Sequence, residues 1–291
     1  MVKYRLKLRI IRKHFQYWYP GTDVVNEIIR KYRRYIEGND FVVLSEKALS
    51  TALGNIYDEN LVKADPLTSI ATFIVMKILW GKILRFVFKN YNIIKLINNV
   101  PLELAASHKK VALRYGGVKH FLKPISEAGI DTTNLPYRYV SLPLRNPLKV
   151  AEDIRKNIAC KLGKSVNILI IDTDRTFKPR FLRNIAFSTR SSSIRGVIDL
   201  GAYAYFLGRI FRKYFTLYPT PVAYVGVDLG LPIILKIAKV CSKYMGSGFG
   251  RNIVEMIQAL GVENFDNIRW VDMRKIYHYP ALLVKVKLIK Q

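Results

Sequence analysis

The first residues alternate between apolar and cationic side chains, a period of two that is typical of a half-buried strand. We predict this strand over residues 2–10. One face carries Val2, Tyr4, Leu6, Leu8 and Ile10, and the other carries Lys3, Arg5, Lys7 and Arg9. The chain therefore begins with a strand whose outer face is positively charged.

Helical spacing replaces this alternation soon afterwards. Apolar residues recur every three to four positions over Val24–Tyr32, with Thr22 as the predicted cap. A short apolar strand is predicted over Phe41–Leu44. Asp65 and Pro66 then provide a cap and a first-turn proline, which predict the start of another helix.

The second half of the chain mixes helices and strands, as caps, glycines and apolar runs indicate. Helices are predicted from Asn146-Pro147 to Gly163, from Pro232 to Met245 and from Ile253 to Leu260, and strands over Val166–Ile171 and Ala281–Ile289. Because helices and strands alternate irregularly, we predict an α+β fold.

Composition excludes a disordered chain. Half of the residues are hydrophobic, although the net charge is +27, and disordered chains combine high charge with few apolar residues. The cysteines, Cys160 and Cys241, are too few for a disulfide framework or a thiolate metal cluster, so we expect a reducing, cytoplasmic setting. Scarce glutamine beside abundant Lys, Arg, Ile and Tyr is typical of a thermophile.

The most apolar stretch does not have the pattern of a transmembrane helix. Leu67–Val87 is interrupted by Lys77, Lys82 and Arg85, so its uncharged runs are far shorter than the about 20 residues a span needs. We interpret it as an amphipathic helix and predict no membrane span.

Acidic residues are rare here, and two of them are candidates for chemistry. Asp131 lies in the loop AGIDTTN, and Asp172 follows the apolar strand, where sheets commonly present ligands. With the Thr173 hydroxyl, these carboxylates are hard oxygen ligands suited to Mg²⁺ or Mn²⁺. The alternative is structural, with Asp131 capping a turn and Asp172 capping a helix.

A glycine-rich stretch between two predicted helices is a second candidate. Its backbone N–H groups and Arg251 are suited to phosphate, although a simple turn between helices is equally compatible. The stretch consists of Gly246, Ser247, Gly248, Phe249, Gly250 and Arg251. The histidines are scattered, and no Walker A loop, GxSxG elbow or CxxC is present.

Taken in order, several segments resemble the coenzyme F-420:L-glutamate ligases, the γ-glutamyl ligases. The main ones are AGIDTTN (128–134), Leu-Pro at 142–143, the helix NPLKVAEDIRKNI and the strand ILIIDT (168–173). Looser similarity is found in PGTDVVNEII, NDFVVLSEKALSTALGN, MGSG (245–248) and HYPALLVKV. The resemblance spans almost the whole chain.

That resemblance implies a single domain over residues 1–291, built from two intertwined α+β subdomains with mixed or antiparallel sheets. It implies GTP- and metal-dependent amide-bond formation between the carboxylate of a phosphorylated deazaflavin-type substrate and L-glutamate, by a homodimer. Asp131 and Asp172 would hold one Mg²⁺ or Mn²⁺ and Thr173 a second. Nucleotide contacts would come from Asn134, Met245 and the glycine-rich stretch.

The chain also departs from the family pattern. Ser247 stands where the family has a glutamate in MGEG, AFSTRS stands where it has AIGxxG, and residues 209–232 and 252–277 are interpreted as insertions. No catalytic residue is assigned. A catalytically inactive homologue that binds a nucleotide, a cofactor or nucleic acid is therefore the alternative, and the clustered cations favour polyanions generally.

Overall fold

The fold is built on a seven-stranded mixed sheet. A computed structural model describes residues 4–84, 94, 97–98, 100–124, 129–250 and 252–290. Within them, six strands of the main sheet follow the order β1-β9-β2-β5-β6-β7, β8 also pairs with β5, and β3 pairs with β4. The strands are β1 (Tyr4–Arg12), β2 (Phe41–Ser45), β3 (Ile56–Asp58), β4 (Tyr139–Ser141), β5 (Asn167–Pro179), β6 (Ala186–Ser188), β7 (Val197–Asp199), β8 (Phe215–Val225) and β9 (Ala281–Lys290).

Helices cover both faces of this sheet. They are α1 (Val24–Tyr32), α2 (Glu46–Ala52), α3 (Pro66–Thr72), α4 (Leu102–Gly116), α5 (Val118–Phe121), α6 (Pro147–Leu162), α7 (Ala202–Ile210), α8 (Leu231–Met245) and α9 (Ile253–Leu260). A π-helix (Phe73–Ile83) continues α3, and short 3₁₀ turns occupy Glu59–Leu61, Arg212–Tyr214, Phe265–Asn267 and Trp270–Lys275. The predicted α+β class is confirmed.

The core has two main layers because the central strands are apolar on both faces. Val42 and Ile168 pack with α1 and α6 on one side, while Val43 and Leu169 pack with α8 on the other. β2 and β5 run parallel, and β9 lies antiparallel to β2. A strand that is buried on both faces has a continuous run of apolar residues, and this pattern predicted β2 and β5.

Local signals located most of the predicted elements. Asn146 caps α6 by accepting the Lys149 N–H at 3.1 Å, and Gly163 ends this helix in the left-handed conformation. Asp65 caps α3 in the same way, with a distance of 2.8 Å to the Thr68 nitrogen. The cap predicted at Thr22 is wrong: Asp23 accepts the Asn26 N–H at 3.0 Å. The Thr22 hydroxyl donates instead to the Tyr19 carbonyl.

The strand predicted to end at Ile171 continues to Pro179. Its pairing with β8 is irregular between Ile170 and Ile171, and again between Asp172 and Arg175. Such bulges bend a strand and change the direction of its side chains, and they are common beside functional sites. Asp172 and Thr173 therefore lie at a bulge inside the strand.

The apolar segment after Asp65 packs partly into the protein. By length and composition alone, Pro66–Ile83 is one helix capable of crossing a bilayer, and 28% of it is buried. Core helices pass the same test, so this is weak support for a span. Lys77 donates to the carbonyls of Ile97, Asn98 and Val100 at 2.6–2.9 Å. Arg85 and Val87, included in the predicted amphipathic helix, lie outside the described residues, as do Val2 and Lys3 of the first strand.

The two segments interpreted as insertions have different positions. Residues 209–232 contain β8, which pairs with β5 in the central sheet. Residues 252–277 contain α9 and two 3₁₀ turns, and their Met256 and Met273 form a separate apolar cluster with Tyr17. Their status as insertions stays a prediction.

Candidate functional site

Two strands end, or change direction, at the same edge of the parallel pair. β2 and β5 are aligned with Ser45 opposite Ile171, so the next residues, Glu46 and Asp172, emerge side by side. Glu46 begins α2 directly after β2. The carboxyl ends of parallel strands are where α/β sheets commonly bind ligands. Here this edge presents two carboxylates.

Arg190 lies between these carboxylates. Its side chain is 1% exposed, and Nη1 lies 2.5 Å from Asp172 Oδ2 while Nη2 lies 2.8 Å from Glu46 Oε1. Nη1 also contacts Glu46 Oε2. A planar guanidinium matches carboxylates with two parallel hydrogen bonds, which makes this a strong type of ion pair.

The pKa values in this group follow from burial and charge together. Burial acts to raise the pKa of Asp172, but the Arg190 charge outweighs it and holds this pKa below its usual range. Burial prevails at Glu46, whose pKa is raised. Burial alone would lower the pKa of Arg190, and the charges of Glu46 and Asp172 raise it instead. Arg190 is therefore a permanent buried cation.

Asp131 is held by a second cation. Its carboxylate pairs with Lys47 Nζ, and its Oδ1 accepts the N–H and the hydroxyl of Thr133, both at 2.8 Å. Its backbone forms a bridge with Ser141, the last residue of β4. Lys47 follows Glu46 in α2, and its charge also lowers the pKa of Asp172. Lys47 thus connects the loop of Asp131 with the strand of Asp172.

We refer to Glu46, Lys47, Asp131, Asp172 and Arg190 as the charged cluster. With every member ionised, three negative and two positive charges give −3 + 2 = −1. Burial differs within it: the side chains of Lys47 and Asp131 are 20% and 27% exposed, whereas Arg190 is nearly inaccessible. Solvent therefore reaches the cluster on the Lys47–Asp131 side.

The residues present do not fit a divalent cation in this arrangement. Asp131 and Asp172, the predicted ligands, are each paired with a basic side chain. Thr173 is exposed, and its N–H donates to Asp172 Oδ1 at 2.7 Å. Within the described part of the chain, no three His, Cys, Asp or Glu side chains are grouped as metal ligands. The metal assignment of Asp131, Asp172 and Thr173 stays a prediction.

The structure brings Asn134 and the glycine-rich stretch together. The Asn134 amide donates to the Ser247 carbonyl at 3.1 Å and accepts the Phe249 N–H at 2.8 Å. A side chain at Gly248 would collide with Asn134 Oδ1, because its Cβ would lie 2.4 Å away. The loop also contains Gly246 and Gly250, follows the buried Met245, and continues into Arg251, which lies outside the described residues.

Sequence reasoning missed Glu46, Lys47 and Arg190 as members of the site. Glu46-Lys47 follow an apolar strand directly in a chain poor in acids, which is the signal that singled out Asp172. Arg190 lies in AFSTRS, the segment that stands where the resembled family has the motif AIGxxG. Neither signal tells which carboxylate meets which cation, since Arg190 and Glu46 are 144 residues apart.

The histidines lie in other pairings. His120 is buried and its Nε2 lies 3.3 Å from Asp199 Oδ2, while His108 contacts Glu59 at 2.5 Å. His14 and His278 contact aromatic rings. None of these contacts joins a histidine to the charged cluster.

Two comparisons with known proteins show which sequences this chain is similar to. The sequence profile of the family described as F420-0:Gamma-glutamyl ligase matches residues 14–200, a region that includes the whole charged cluster and Asn134. An uncharacterized protein of Methanocaldococcus jannaschii is 30% identical over 296 residues, covering 99% of this chain and 97% of that relative. The glycine-rich stretch lies outside the profile match and inside the match to this relative.

Proposed function

Since the chain belongs to the F420-0:gamma-glutamyl ligase family, we propose that it forms an amide bond between a carboxylate substrate and an amino acid, using GTP. The observation that carries this proposal is the convergence of the Asp131–Asn134 loop, the end of β2, the bulge of β5 at Asp172, and the glycine-rich stretch. The proposal also includes a phosphorylated deazaflavin-type substrate, L-glutamate as the amine and a cytoplasmic setting.

The reaction follows from the chemistry of the substrates. A carboxylate oxygen attacks the γ-phosphorus of GTP, GDP leaves, and an acyl phosphate forms. The glutamate amine then attacks the acyl carbon, inorganic phosphate leaves, and the nitrogen loses a proton. Negative charge on the transferred phosphoryl group is the main barrier to such a step, and cations lower it. Lys47 is the partly exposed cation of the cluster and is proposed to face the phosphate.

The glycine-rich stretch is proposed to hold the nucleotide. Gly246 and Gly248 have φ values of +72° and +64°, which glycine adopts without strain. Successive N–H groups in such turns form concave anion sites. The Asn134 amide fixes this loop from the opposite side through two hydrogen bonds, so it positions the loop rather than acting chemically.

Asn134→Gly is expected to weaken GTP binding about tenfold or more. Glycine tolerates the φ of +60° at this position, so the change removes the amide without backbone strain. Two hydrogen bonds of about 1 kcal/mol each correspond to a factor of this size. Isothermal titration calorimetry, with Mn²⁺ and separately with EDTA, measures the effect. Asn157→Gly, at an exposed position on α6, is the control. It should bind GTP like the wild type at a temperature where both proteins are fully folded.

A wild-type chain that binds neither GTP nor ATP in either buffer would contradict the nucleotide site. A chain that binds GTP but forms no GDP and no amide with L-glutamate and a deazaflavin carboxylate would be the catalytically inactive homologue. Ser247 favours this alternative, because it is exposed and carries no charge where the family has a glutamate. An assay for GDP and for the amide product therefore distinguishes an active ligase from an inactive homologue.

A specific feature of the sheet edge favours polyanion binding as a second function. Lys7 lies opposite Lys287, and Arg9 opposite Lys285, in the β1–β9 pair. Like charges directly across a ladder are destabilising, so their grouping calls for an anionic partner or counter-ions. Glu37 and Asp40 neutralise Lys285 at 2.6 and 3.4 Å. Lys7, Arg9 and Lys287 are exposed.

Replacing Lys7, Arg9 and Lys287 together by glutamine is expected to weaken duplex nucleic-acid binding and flatten its salt dependence. Each lost phosphate contact lowers the slope of log K against log salt by about 0.9 for duplex DNA. Fluorescence anisotropy with labelled duplexes over a salt series measures this. Glutamine at Lys156, Lys243 and Arg274 gives the same change in net charge at scattered sites. Equal slopes for both triple variants would refute a defined surface at the sheet edge.

We also propose a homodimer, as the family resemblance implies. Multi-angle light scattering should give twice the mass of one chain. The mass of a single chain at micromolar concentration would contradict this.

A further inference from the structure

The charged cluster has cations of its own where a metal ion would be needed. We propose that Arg190 and Lys47 replace a divalent cation in this site, so that the wild-type cluster binds no Mn²⁺ or Mg²⁺ and meets anionic ligands through Lys47. The first part concerns the cluster alone. The part about anionic ligands rests on the proposed function.

Arg190 occupies the place beside Asp172 that a metal ion would need. Its Nη1 lies 2.5 Å from Asp172 Oδ2, and Mg²⁺ needs a ligand oxygen at about 2.0–2.1 Å. An ion bound to that face of the oxygen would overlap the guanidinium nitrogen. The arginine would have to leave both Asp172 and Glu46, and a buried charge without a partner is strongly unfavourable.

The guanidinium of Arg190 has little free space around it. Gly129 lies against it so closely that a Cβ there would be 2.1 Å from Nη1. The side chain is thus enclosed by the loop of Asp131 as well as by the two carboxylates. Because the Arg190 side chain is only 1% exposed, it cannot swing into solvent and leave its place to a metal ion.

The backbone of Arg190 is held as well as its side chain. Arg190 lies two residues after the end of β6 (Ala186–Ser188). The Ser188 hydroxyl donates to the Arg190 carbonyl, and this hydrogen bond is buried. The guanidinium therefore extends from a fixed point of the sheet.

Lys47 lies on the solvent-accessible side of the charged cluster. Lys47 pairs with Asp131, and its Nζ also donates to the Thr133 hydroxyl at 2.5 Å. The side chains of Lys47 and Asp131 are partly exposed, at 20% and 27%. Lys47 is consequently the cation that an incoming phosphate or carboxylate can reach.

Mn²⁺ titration of the wild type, Arg190→Lys and Arg190→Met tests the replacement without any nucleotide. Free Mn²⁺ is followed by electron paramagnetic resonance, and the melting temperature by circular dichroism. We expect no specific uptake and no stabilisation for the wild type and for Arg190→Lys, which keeps the charge. Arg190→Met should take up about one Mn²⁺ and melt several degrees higher with it, because the freed carboxylates become ligands. Adding Asp172→Asn to Arg190→Met should abolish the gain.

Every outcome bears on the proposal. If Arg190→Met is unfolded alone, refolding on addition of Mn²⁺ would support it and continued unfolding would overturn it. Uptake by the wild type that disappears in Asp172→Asn would overturn it and restore the metal-ligand prediction. A folded Arg190→Met that takes up no Mn²⁺ would also overturn it. These Mn²⁺ titrations contain no nucleotide, so they are independent of the GTP calorimetry. An absence of GTP binding would refute the proposed function and would not affect the conclusion about the metal ion.

Discussion

Replacing Arg190 by methionine is expected to lower the free energy of unfolding by about 3–5 kcal/mol at pH 7, the range observed when one partner of a buried ion pair is removed. Methionine fills the aliphatic part of the space but does not reach the position of the guanidinium, so the variant loses the charge and its hydrogen bonds and leaves a small cavity beside the carboxylates. Glu46 and Asp172, with side chains 3% and 11% exposed, would remain as buried carboxylates facing each other. Urea unfolding at equilibrium measures the difference.

The same variant should recover part of this loss in acid. Without Arg190, burial and mutual repulsion raise the pKa values of Glu46 and Asp172 above those of the unfolded chain. The folded variant then binds more protons than the unfolded one, so its stability rises as the pH falls toward about 4. In the wild type the pKa of Glu46 is raised too, but Arg190 limits that rise and holds the pKa of Asp172 below its usual value, so Asp172 gives no gain above about pH 3.8 and loses its stabilising contribution below it. The difference between the two proteins therefore narrows between pH 7 and pH 4.

The control is a variant in which the charges are removed together: Glu46→Gln, Asp172→Asn and Arg190→Met. It should be closer to the wild type in stability than Arg190→Met is, because no uncompensated charge remains. A difference under 1 kcal/mol between Arg190→Met and the wild type at pH 7 would show that the ion pairs do not hold this site together.

Gly129→Ala is expected to be the second large effect, at about 2–5 kcal/mol. The backbone there has φ of +81°, and the added Cβ would lie 2.1 Å from Arg190 Nη1. The left-handed backbone contributes about 1–2 kcal/mol for a residue other than glycine, and overpacking contributes about 1–3 kcal/mol. The end of an arginine normally moves aside easily, but two carboxylates hold this one.

Gly163→Ala separates the two contributions. Gly163 has φ of +64° at the end of α6 and no atom within 4 Å of its added Cβ, so only the backbone term of about 1–2 kcal/mol applies. The cost of Gly129→Ala should also shrink in the Arg190→Met background, since the clashing atom is gone. Equal thermal shifts for Gly129→Ala and Gly163→Ala would mean that Arg190 does not press against Gly129.

Within the described residues, local patterns located five of the nine α-helices and four of the nine strands. The helix of Asn146 and Gly163 and the start at Asp65-Pro66 depend on caps, which act over three or four residues. The apolar run at Val166–Ile171 depends on burial on both faces, a property of the strand itself. The error at Thr22 involved two neighbouring residues, both of them good caps, and the choice between them depends on where the turn places Asp23.

The local patterns did not predict which strands pair with each other. β8 pairs with β5 over most of its length, although residues 209–232 were interpreted as an insertion, and the bulge at Asp172 depends on that partner. A strand's neighbours are set by long-range contacts, and short apolar runs do not carry that information.

The sequence by itself determined the α+β class, the family, and part of the candidate site: Asp131, Asp172 and the glycine-rich stretch. These follow from residue types and short spacings, which local physics constrains. Only the tertiary structure decided that Asp131 meets Lys47 and that Asp172 and Glu46 share Arg190. A carboxylate looks the same in a sequence whether a metal ion or an arginine neutralises it. Its partner depends on which distant segment the fold brings within about 3 Å, and here that segment lies 18 residues from Asp172 and 144 from Glu46.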